Sequence, residues 1–422
     1  MENTDRRVFE TAFELWSSRS NQMLTRQRLK RYTYGDQWGD IVRDEKGVYM
    51  PEHVVLDRTG KRSITNNLIR RLVKTIIGRY RDMAAKNSWY DTDEQSMDAL
   101  CELDELDSRL LEEFLISGMA IQRVSDDDPL APVFPHVVNV NPAQFFCNDF
   151  RDPRGTDIEM VGMLHDMSPA ELHLRFGKAS DDAAHELERI IASADCTSIP
   201  THGSATAFFS APAGRIRIVE VWSRQFDSVG RVSWWVRWFM PSGKLIDMYK
   251  SPWRHESHPF VLKFYPLTDG EIHSFVEDVV DQQRYINRLI VLMDQIMATS
   301  AKGVLLFPVG QKMPQYTWDD ITRRWATPDG VLPITGNGEL PQQISHSGGD
   351  ANAYRLLEME LRLFDRTSGV GSALLGGTGM NEGSSGIQHY QAQVESATIA
   401  LADIFNTFRS LIKHRDVKLR NL

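Results

Sequence analysis

The sequence predicts a mainly helical α+β protein. Three observations support this prediction: helical periodicity near the N-terminus, alternating strand patterns in the middle, and long helical segments after residue 273. The chain has 422 residues, of which 41% are hydrophobic and 25% are charged, as in ordinary soluble globular proteins. This length favours two or three domains or one elongated subunit.

Three helices are expected before residue 119. Apolar side chains recur at intervals of three and four residues over 4–34, over about 66–83 and over 93–117. Gly35 and Gly118 directly follow the first and third of these segments. Glycine at such a position is a typical helix stop signal.

Strands are expected in the middle of the chain. Short β-prone runs at 119–124 and 133–140 precede a turn over 142–149. Ser168 is the expected N-cap of a short helix, with Pro169 in its first turn. A β-meander follows, with strands expected at 215–224, 232–239 and 244–249. Its four tryptophans are expected to be buried sheet residues rather than a ligand site: Trp222, Trp234, Trp235 and Trp238.

Long helices are expected again after residue 273. They occupy three segments: 274–301, 350–367 and 385–414. The last segment has a continuous apolar seam, which needs a facing helix from this chain or from a neighbour. Between the first two segments, residues 302–348 form a mixed insert. This insert is expected to contain strands at 303–309 and 331–334 and a helix at 318–325.

The net charge of −9 argues against tight binding of nucleic acid, which requires clustered Lys and Arg. The acidic excess is local: residues 91–128 hold thirteen acidic and two basic side chains, a net charge of −11. A solvated surface is the simplest interpretation of that run. Three widely spaced cysteines without a CxxC motif indicate neither a disulfide framework nor a zinc site.

No catalytic, cofactor-binding or metal motif is present in the sequence. The glycine-rich run at 376–386 lacks the Lys-Ser/Thr pair of a phosphate loop and the third glycine of a dinucleotide fingerprint. His255 and His258 are three residues apart, whereas the zincin helix motif needs four. No apolar run is long enough for a membrane span. We therefore expect no enzyme activity, no cofactor and no membrane insertion.

Several motifs occur together in one order along the chain. They are Arg31-Tyr-Thr-Tyr-Gly-Asp-Gln-Trp38, Asn66-Asn67 before a helix with Gly78 and Tyr80, Gly118–Val124, Val140-Asn-Pro142 with Asn148-Asp149, His258-Pro259-Phe260 before a helix with Asp281, Gln282 and Asn287, and Thr367–Gly376 followed by Ser384-Ser-Gly386. In this order they resemble the portal proteins of tailed double-stranded DNA bacteriophages, most closely the short-tailed group. The resemblance covers nearly the whole chain.

The resemblance implies an elongated subunit with four parts. Residues 1–272 and the long helix within 387–422 would form the wing, 273–301 and 349–367 the two stem helices, 302–348 the clip, and 368–386 a tunnel loop. Family portals often continue into a crown. Because this sequence ends just past the long wing helix, we expect the crown to be absent or truncated.

The resemblance also implies a function. The subunit would form a ring of about twelve copies, with head-to-tail interfaces, at one capsid vertex of the virion, after assembly in the host cytoplasm. Its partners would be other copies of itself, double-stranded DNA as cargo, terminase, the major capsid protein, a tail adaptor and a scaffold protein. The acidic composition does not exclude DNA as cargo, because a channel that bound the phosphates tightly would stop the DNA from moving through.

Two groups of residues are candidate sites under this resemblance. The tunnel-loop residues facing DNA would be Gly376, Gly377, Thr378, Gly379, Met380, Asn381, Ser384 and Ser385, and the clip residues docking a partner would be Trp318, Arg323, Arg324 and Trp325. The glycines permit a loop that changes shape. A plain flexible turn and ordinary packing are the alternatives for these groups. For the whole chain, a head–tail adaptor, another virion scaffold without a channel, or an enzyme with an unrecognised site remain open.

Overall fold

The computed structural model describes residues 2–86, 97–125, 136–177, 188–189, 191–192, 206–226, 232–253, 257–300, 304–326, 333–335, 339–344, 349–370, 399 and 401–420. The chain divides into two compact units. Unit 1 comprises Met1–Tyr34, Ile69–Asp278 and Ser368–Leu422, and unit 2 comprises Gly35–Leu68 and Val279–Thr367.

Helices and strands are numbered in chain order. The helices are α1 (Glu2–Ser18), α2 (Ser20–Tyr34), α3 (Glu52–Arg58), α4 (Leu68–Lys86), α5 (Met97–Ser117), α6 (Pro169–Phe176), α7 (Thr206–Phe209), α8 (Glu277–Ser300), α9 (Trp318–Ala326), α10 (Gly349–Ser368) and α11 (Ala402–Arg420). The strands are β1 (Ile41–Arg43), β2 (Tyr49–Pro51), β3 (Met119–Ser125), β4 (His136–Asn139), β5 (Phe145–Cys147), β6 (Met160–Met167), β7 (Ile216–Phe226), β8 (Val232–Phe239), β9 (Leu245–Lys250), β10 (Phe260–Phe264), β11 (Pro266–Thr268), β12 (Glu271–Ile272), β13 (Val304–Leu306) and β14 (Gln342–Ile344).

A five-stranded antiparallel sheet in the order β5-β6-β7-β8-β9 organises unit 1. Phe9 and Ala12 of α1 pack in its core with Phe146, Phe208 and Phe239. This packing explains the helical spacing of the apolar residues in α1. Trp222, Trp234 and Trp238 are buried in the sheet as predicted, whereas Trp235 is half-buried.

A second antiparallel sheet in unit 1 has the order β10-β3-β4. Helix α5 leads directly into β3 through Gly118, whose φ is +70°. A Cβ atom at this position would lie 2.8 Å from Ile272 Cγ2 and 3.1 Å from the carbonyl oxygen of Tyr265. Glycine is therefore required here for the left-handed backbone. It is also required for the close approach of residues 265–273 of the same chain.

The described part of the apolar seam predicted for the last helix is covered within unit 1. In the described part, α11 buries Ile404, Phe408 and Leu411. The ring of Phe408 lies 5.5 Å from that of Tyr80 in α4 and 5.9 Å from that of Phe114 in α5. For this described part, the facing elements therefore belong to this chain, which was one of the two options that the sequence left open.

Four predicted elements differ from the structure. The turn expected over 142–149 contains β5, a strand of the five-stranded sheet. The single helix expected over 4–34 is two helices, interrupted at Arg19. The second strand of the insert was placed wrongly: residues 333–335 have no regular structure, and β13 pairs instead with β14. The last helix continues to Arg420, beyond His414. The position or the end of each of these elements depends on contacts with residues distant in sequence, and local periodicity does not reveal such contacts.

Candidate functional site

Helix α9 begins with a capping box, which stabilises its first turn. The Thr317 hydroxyl accepts a hydrogen bond from the Asp320 backbone N–H at 3.2 Å, and the Asp320 carboxylate accepts from the Thr317 hydroxyl and N–H at 2.7 and 3.0 Å. These hydrogen bonds lower the pKa of Asp320. Ile321 is buried and fixes the inner side of the helix.

The sequence-predicted clip residues lie on this helix. Trp318 contacts the ring of Phe307 edge-on at 6.1 Å, and Lys312 Nζ lies 5.2 Å from the centroid of the Trp318 ring. Arg323 and Arg324 are exposed at the last turn, with Arg324 Cζ 4.7 Å from the Tyr316 ring centroid, and Trp325 is half-buried. The helix thus combines an exposed aromatic residue and two exposed cations on a capped frame.

The same insert exposes large apolar side chains. Trp318 is 45% exposed, Leu306 49%, Leu340 67% and Val309 77%. Exposed apolar side chains of this size, grouped in one short insert, are typical of a surface that a partner covers. The two-stranded β13–β14 ladder supplies the frame for Leu306.

The predicted tunnel-loop residues lie outside the described residues. They are Gly376, Gly377, Thr378, Gly379, Met380, Asn381, Ser384 and Ser385. Their role remains a prediction from the sequence.

A network of amide side chains in unit 2 joins three of the motifs noted in the sequence. The Gln37 amide donates to Asn67 Oδ1 at 3.2 Å, and Asn287 Nδ2 donates to Gln37 Oε1. The Asn66 backbone N–H donates to Asn287 Oδ1 at 3.1 Å, and Gln283 Nε2 donates to the carbonyl oxygen of Asn66 at 2.7 Å. The motif residues therefore serve to fix the segment 35–68 on α8.

A second contact of the same segment is ionic. Glu52 is buried at the start of α3 and accepts hydrogen bonds from Arg284 Nη2 at 2.9 Å and Arg288 Nε at 2.7 Å. Arg284 and Arg288 are four residues apart, so they lie on one face of α8. The pairing of one carboxylate with two guanidinium groups satisfies a buried charge that would otherwise be costly.

Nothing in the described part of the chain forms a metal site of three or more His, Cys, Asp or Glu side chains. In that same part, no helix has the length and hydropathy needed to cross a membrane.

A model of the phage P22-like portal protein family matches residues 9–421, nearly the whole chain. The chain belongs to this family. No curated protein matches the chain. The α+β fold is that of a portal subunit, and the resemblance seen in the sequence is confirmed. Membership makes the chain a component of a phage virion involved in DNA packaging, in a family that is structural rather than enzymatic.

Two buried charge clusters of this portal protein were not predicted from the sequence. Glu220 of β7 lies 3.1 Å from Arg123 Nη2, 2.7 Å from His165 Nε2 and 2.8 Å from Trp222 Nε1. Burial alone would raise the pKa of Glu220, but the charge of Arg123 and the His165 hydrogen bond outweigh it and lower the pKa. The alternation of β7 gave no sign of a charged residue facing inward.

The other cluster ties the last helix of the portal protein to α5 and β3. Arg415 Nη1 bonds to Asp107 Oδ1, and Gln122 Nε2 donates to the same oxygen at 3.2 Å. Burial raises the pKa of Asp107, although Arg415 opposes this. The sequence offered one signal for Arg415: an arginine within the apolar seam of an amphipathic helix needs a buried partner.

Proposed function

We propose that this chain is one subunit of a ring of about twelve copies at a capsid vertex, through which double-stranded DNA is packaged and ejected. The observation that carries this proposal is the family match over residues 9–421. No bond is made or broken by the subunit in this role.

The exposed apolar side chains of unit 2 support ring formation. Helix α8 exposes Tyr285, Leu292 and Met297, and α10 exposes Tyr354 and Met359. Large apolar side chains at roughly helical intervals gain most when another surface covers them, at about 1.5–3 kcal/mol each. A neighbouring copy in a head-to-tail ring would provide that surface.

Within the ring we assign the parts as the sequence suggested. Residues 273–301 and 349–367 are the stem, 302–348 the clip, 368–386 the tunnel loop, and 1–272 with 387–422 the wing. The clip, through Trp318, Arg323, Arg324 and Trp325, docks terminase during packaging and the tail adaptor afterwards. The amide network on Asn287 supports one change to this assignment: residues 35–68 are moved from the wing to the stem.

The experiment is direct imaging of the purified full-length chain down its symmetry axis, with sedimentation to measure mass. We expect a closed ring with a central hole wide enough for duplex DNA. A ring without such a hole would favour a head–tail adaptor, and a strictly monomeric particle at high concentration would contradict the proposal.

A further inference from the structure

A cavity of about 280 Å³ lies beside the junction of α1 and α2 in unit 1. Arg19, the residue between these helices, lines it together with Gln22, Cys147, Phe264 and Leu267. The φ of Leu267 is +60°, in the left-handed region that leucine rarely adopts. The chain thus holds a strained backbone against this cavity, as binding sites often do.

Arg19 is buried there, and its contacts among the described residues are with neutral groups. It is only 7% exposed. Its Nε donates to Gln22 Oε1 at 3.2 Å, its Nη1 and Nη2 lie 3.4 and 3.7 Å from Cys147 Sγ and Met119 Sδ, and its Cζ lies 4.7 Å from the Phe264 ring centroid. Within the described ranges, no carboxylate forms an ion pair with this guanidinium.

The neighbouring sulfur atoms do not replace an anion. Burial raises the pKa of the Cys147 thiol, although the charge of Arg19 opposes this, so the thiol is neutral at pH 7. Thiol and thioether sulfurs are weak acceptors. A buried cation without an anionic partner is costly, and the guanidinium fork matches the geometry of a carboxylate.

The rim of the cavity carries a negative charge, opposite to that of Arg19. Asp149, Asp269 and Glu271 line it and are exposed, and Arg151 is the basic residue among them. Three carboxylates and one guanidinium give the rim a net charge of −2. A dianion such as phosphate is repelled by this rim, whereas an ammonium or guanidinium group is attracted to it.

We propose that this cavity binds a group with the chemistry of an amino acid: one carboxylate for Arg19 and, a few bonds away, one cation for the rim carboxylates. Two sources can supply it. One is a free zwitterion, and the other is an acidic side chain next to a basic one on a second copy of the chain. The cavity volume suits either, because it holds a small organic group but not a folded element.

The test uses three matched probes with the purified full-length chain in isothermal titration calorimetry: γ-aminobutyrate, butyrate and butylamine. We expect γ-aminobutyrate to bind most tightly to the wild type. Arg19→Gln is expected to weaken it at least about tenfold, because a charge-assisted pair is lost. Arg6→Gln, a change at an exposed arginine of α1, is the control and should bind like the wild type.

Asp269→Asn keeps the proposal testable if Arg19→Gln does not fold. Asp269 is exposed and has a φ of +55°, which asparagine tolerates. This variant should weaken γ-aminobutyrate but leave butyrate unchanged. Equal affinity of the wild type for all three probes, or unchanged binding in both variants, would overturn the proposal.

Sedimentation of the same proteins distinguishes the two sources. If a second copy supplies the carboxylate, the Arg19→Gln variant self-associates more weakly than the wild type. Added γ-aminobutyrate then also weakens self-association of the wild type. If the ligand is free, γ-aminobutyrate binds and association is unchanged. If γ-aminobutyrate does not bind and association does not change in any variant, the proposed site is contradicted. That result leaves the proposed ring untouched, because imaging tests the ring separately.

Discussion

Arg415 of α11 and Asp107 of α5 form an ion pair whose side chains are 0% and 1% exposed, although 308 residues separate them in the sequence. This pair fixes the end of the chain to the helix before β3. Breaking a buried pair on one side leaves an uncompensated charge, which costs much more than losing both partners.

Arg415→Met should therefore lower the free energy of unfolding by about 3–5 kcal/mol, and adding Asp107→Leu should recover most of the loss. Urea denaturation followed by circular dichroism measures this, at one fixed oligomeric state because association shifts apparent stability. The control is Arg420→Met, at the exposed end of the same helix. An Arg415→Met variant as stable as this control would show that the pair contributes nothing.

Glu220→Gln should reduce stability at neutral pH, because Arg123 and His165 lose their anion. The pKa of Glu220 is lowered in the folded chain, so its contribution is present above the ordinary value near 4.5 and declines as the pH falls below it. The stability difference between wild type and variant should accordingly narrow below about pH 4.5. Thermal unfolding across pH checks this. The exposed Glu159→Gln is the control, and a difference that widens on acidification would contradict the assignment.

Lys418 should make stability rise with pH above neutrality. Its Nζ donates to the carbonyl oxygens of His258 and Phe260, and burial lowers its pKa to about 7. Between about pH 7 and its ordinary value of 10.5, the unfolded chain holds a proton that the folded chain has released. Unfolding then takes up a proton, so the free energy of unfolding rises by at most about 1.4 kcal/mol per pH unit.

Lys418→Met should remove that slope between about pH 7 and pH 9, whereas the exposed Lys413→Met should retain it. His258 and His414 lie close to Lys418, and their own pKa values are lowered by burial and by the nearby cations. Subtracting the wild-type pH profile of the free energy of unfolding from that of each variant gives the contribution of the substituted lysine. A slope that persists in Lys418→Met would assign it to another group.

Valine at Gly376, Gly377 and Gly379 should impair DNA packaging and leave ring assembly intact. A β-branched side chain restricts the backbone that a moving tunnel loop needs. Packaging in vitro and imaging of the ring are the two measurements. Equal failure of assembly and packaging would show that this loop is structural and not a tunnel loop.

Reversing the clip charges with Arg323→Glu and Arg324→Glu, or removing Trp318 by Trp318→Ala, should weaken terminase binding at least about tenfold, because exposed Trp and Arg often dominate interfaces. Binding of purified terminase to the purified ring measures this. Thr322→Ala changes an exposed position of the same helix and is the control. Unchanged binding in both variants would place the docking surface elsewhere.

Local signals in the sequence were sufficient for several elements. Ser168 is the N-cap of α6, as the Ser-Pro start predicted, and the structure adds a capping box with Glu171. The meander strands β7 to β9 lie where alternation placed them within two residues. Periodicity and capping succeed here because each depends on neighbours within a few residues.

Contacts between residues distant in sequence could not be predicted from these local signals. The second strand of the insert was predicted at 331–334, about ten residues before β14, because the short segment 342–344 has no alternation of its own. Nothing near Glu220 in the sequence indicates that Arg123 meets it, since 97 residues separate them. Such contacts depend on which loops close and which faces pack, and no local pattern encodes that.

The sequence by itself determined the family, through the order of its motifs, and the fold class, through periodicity. Only the tertiary structure decided what those motifs do: Gln37, Asn66 and Asn287 bond to one another because folding brings α8 to the segment 35–68. Folding also buries Arg19 beside a cavity, where no carboxylate of the described residues pairs with it. The physical reason is that the environment of a charged or amide side chain is set by packing over hundreds of residues, whereas its propensity is set by the few residues beside it.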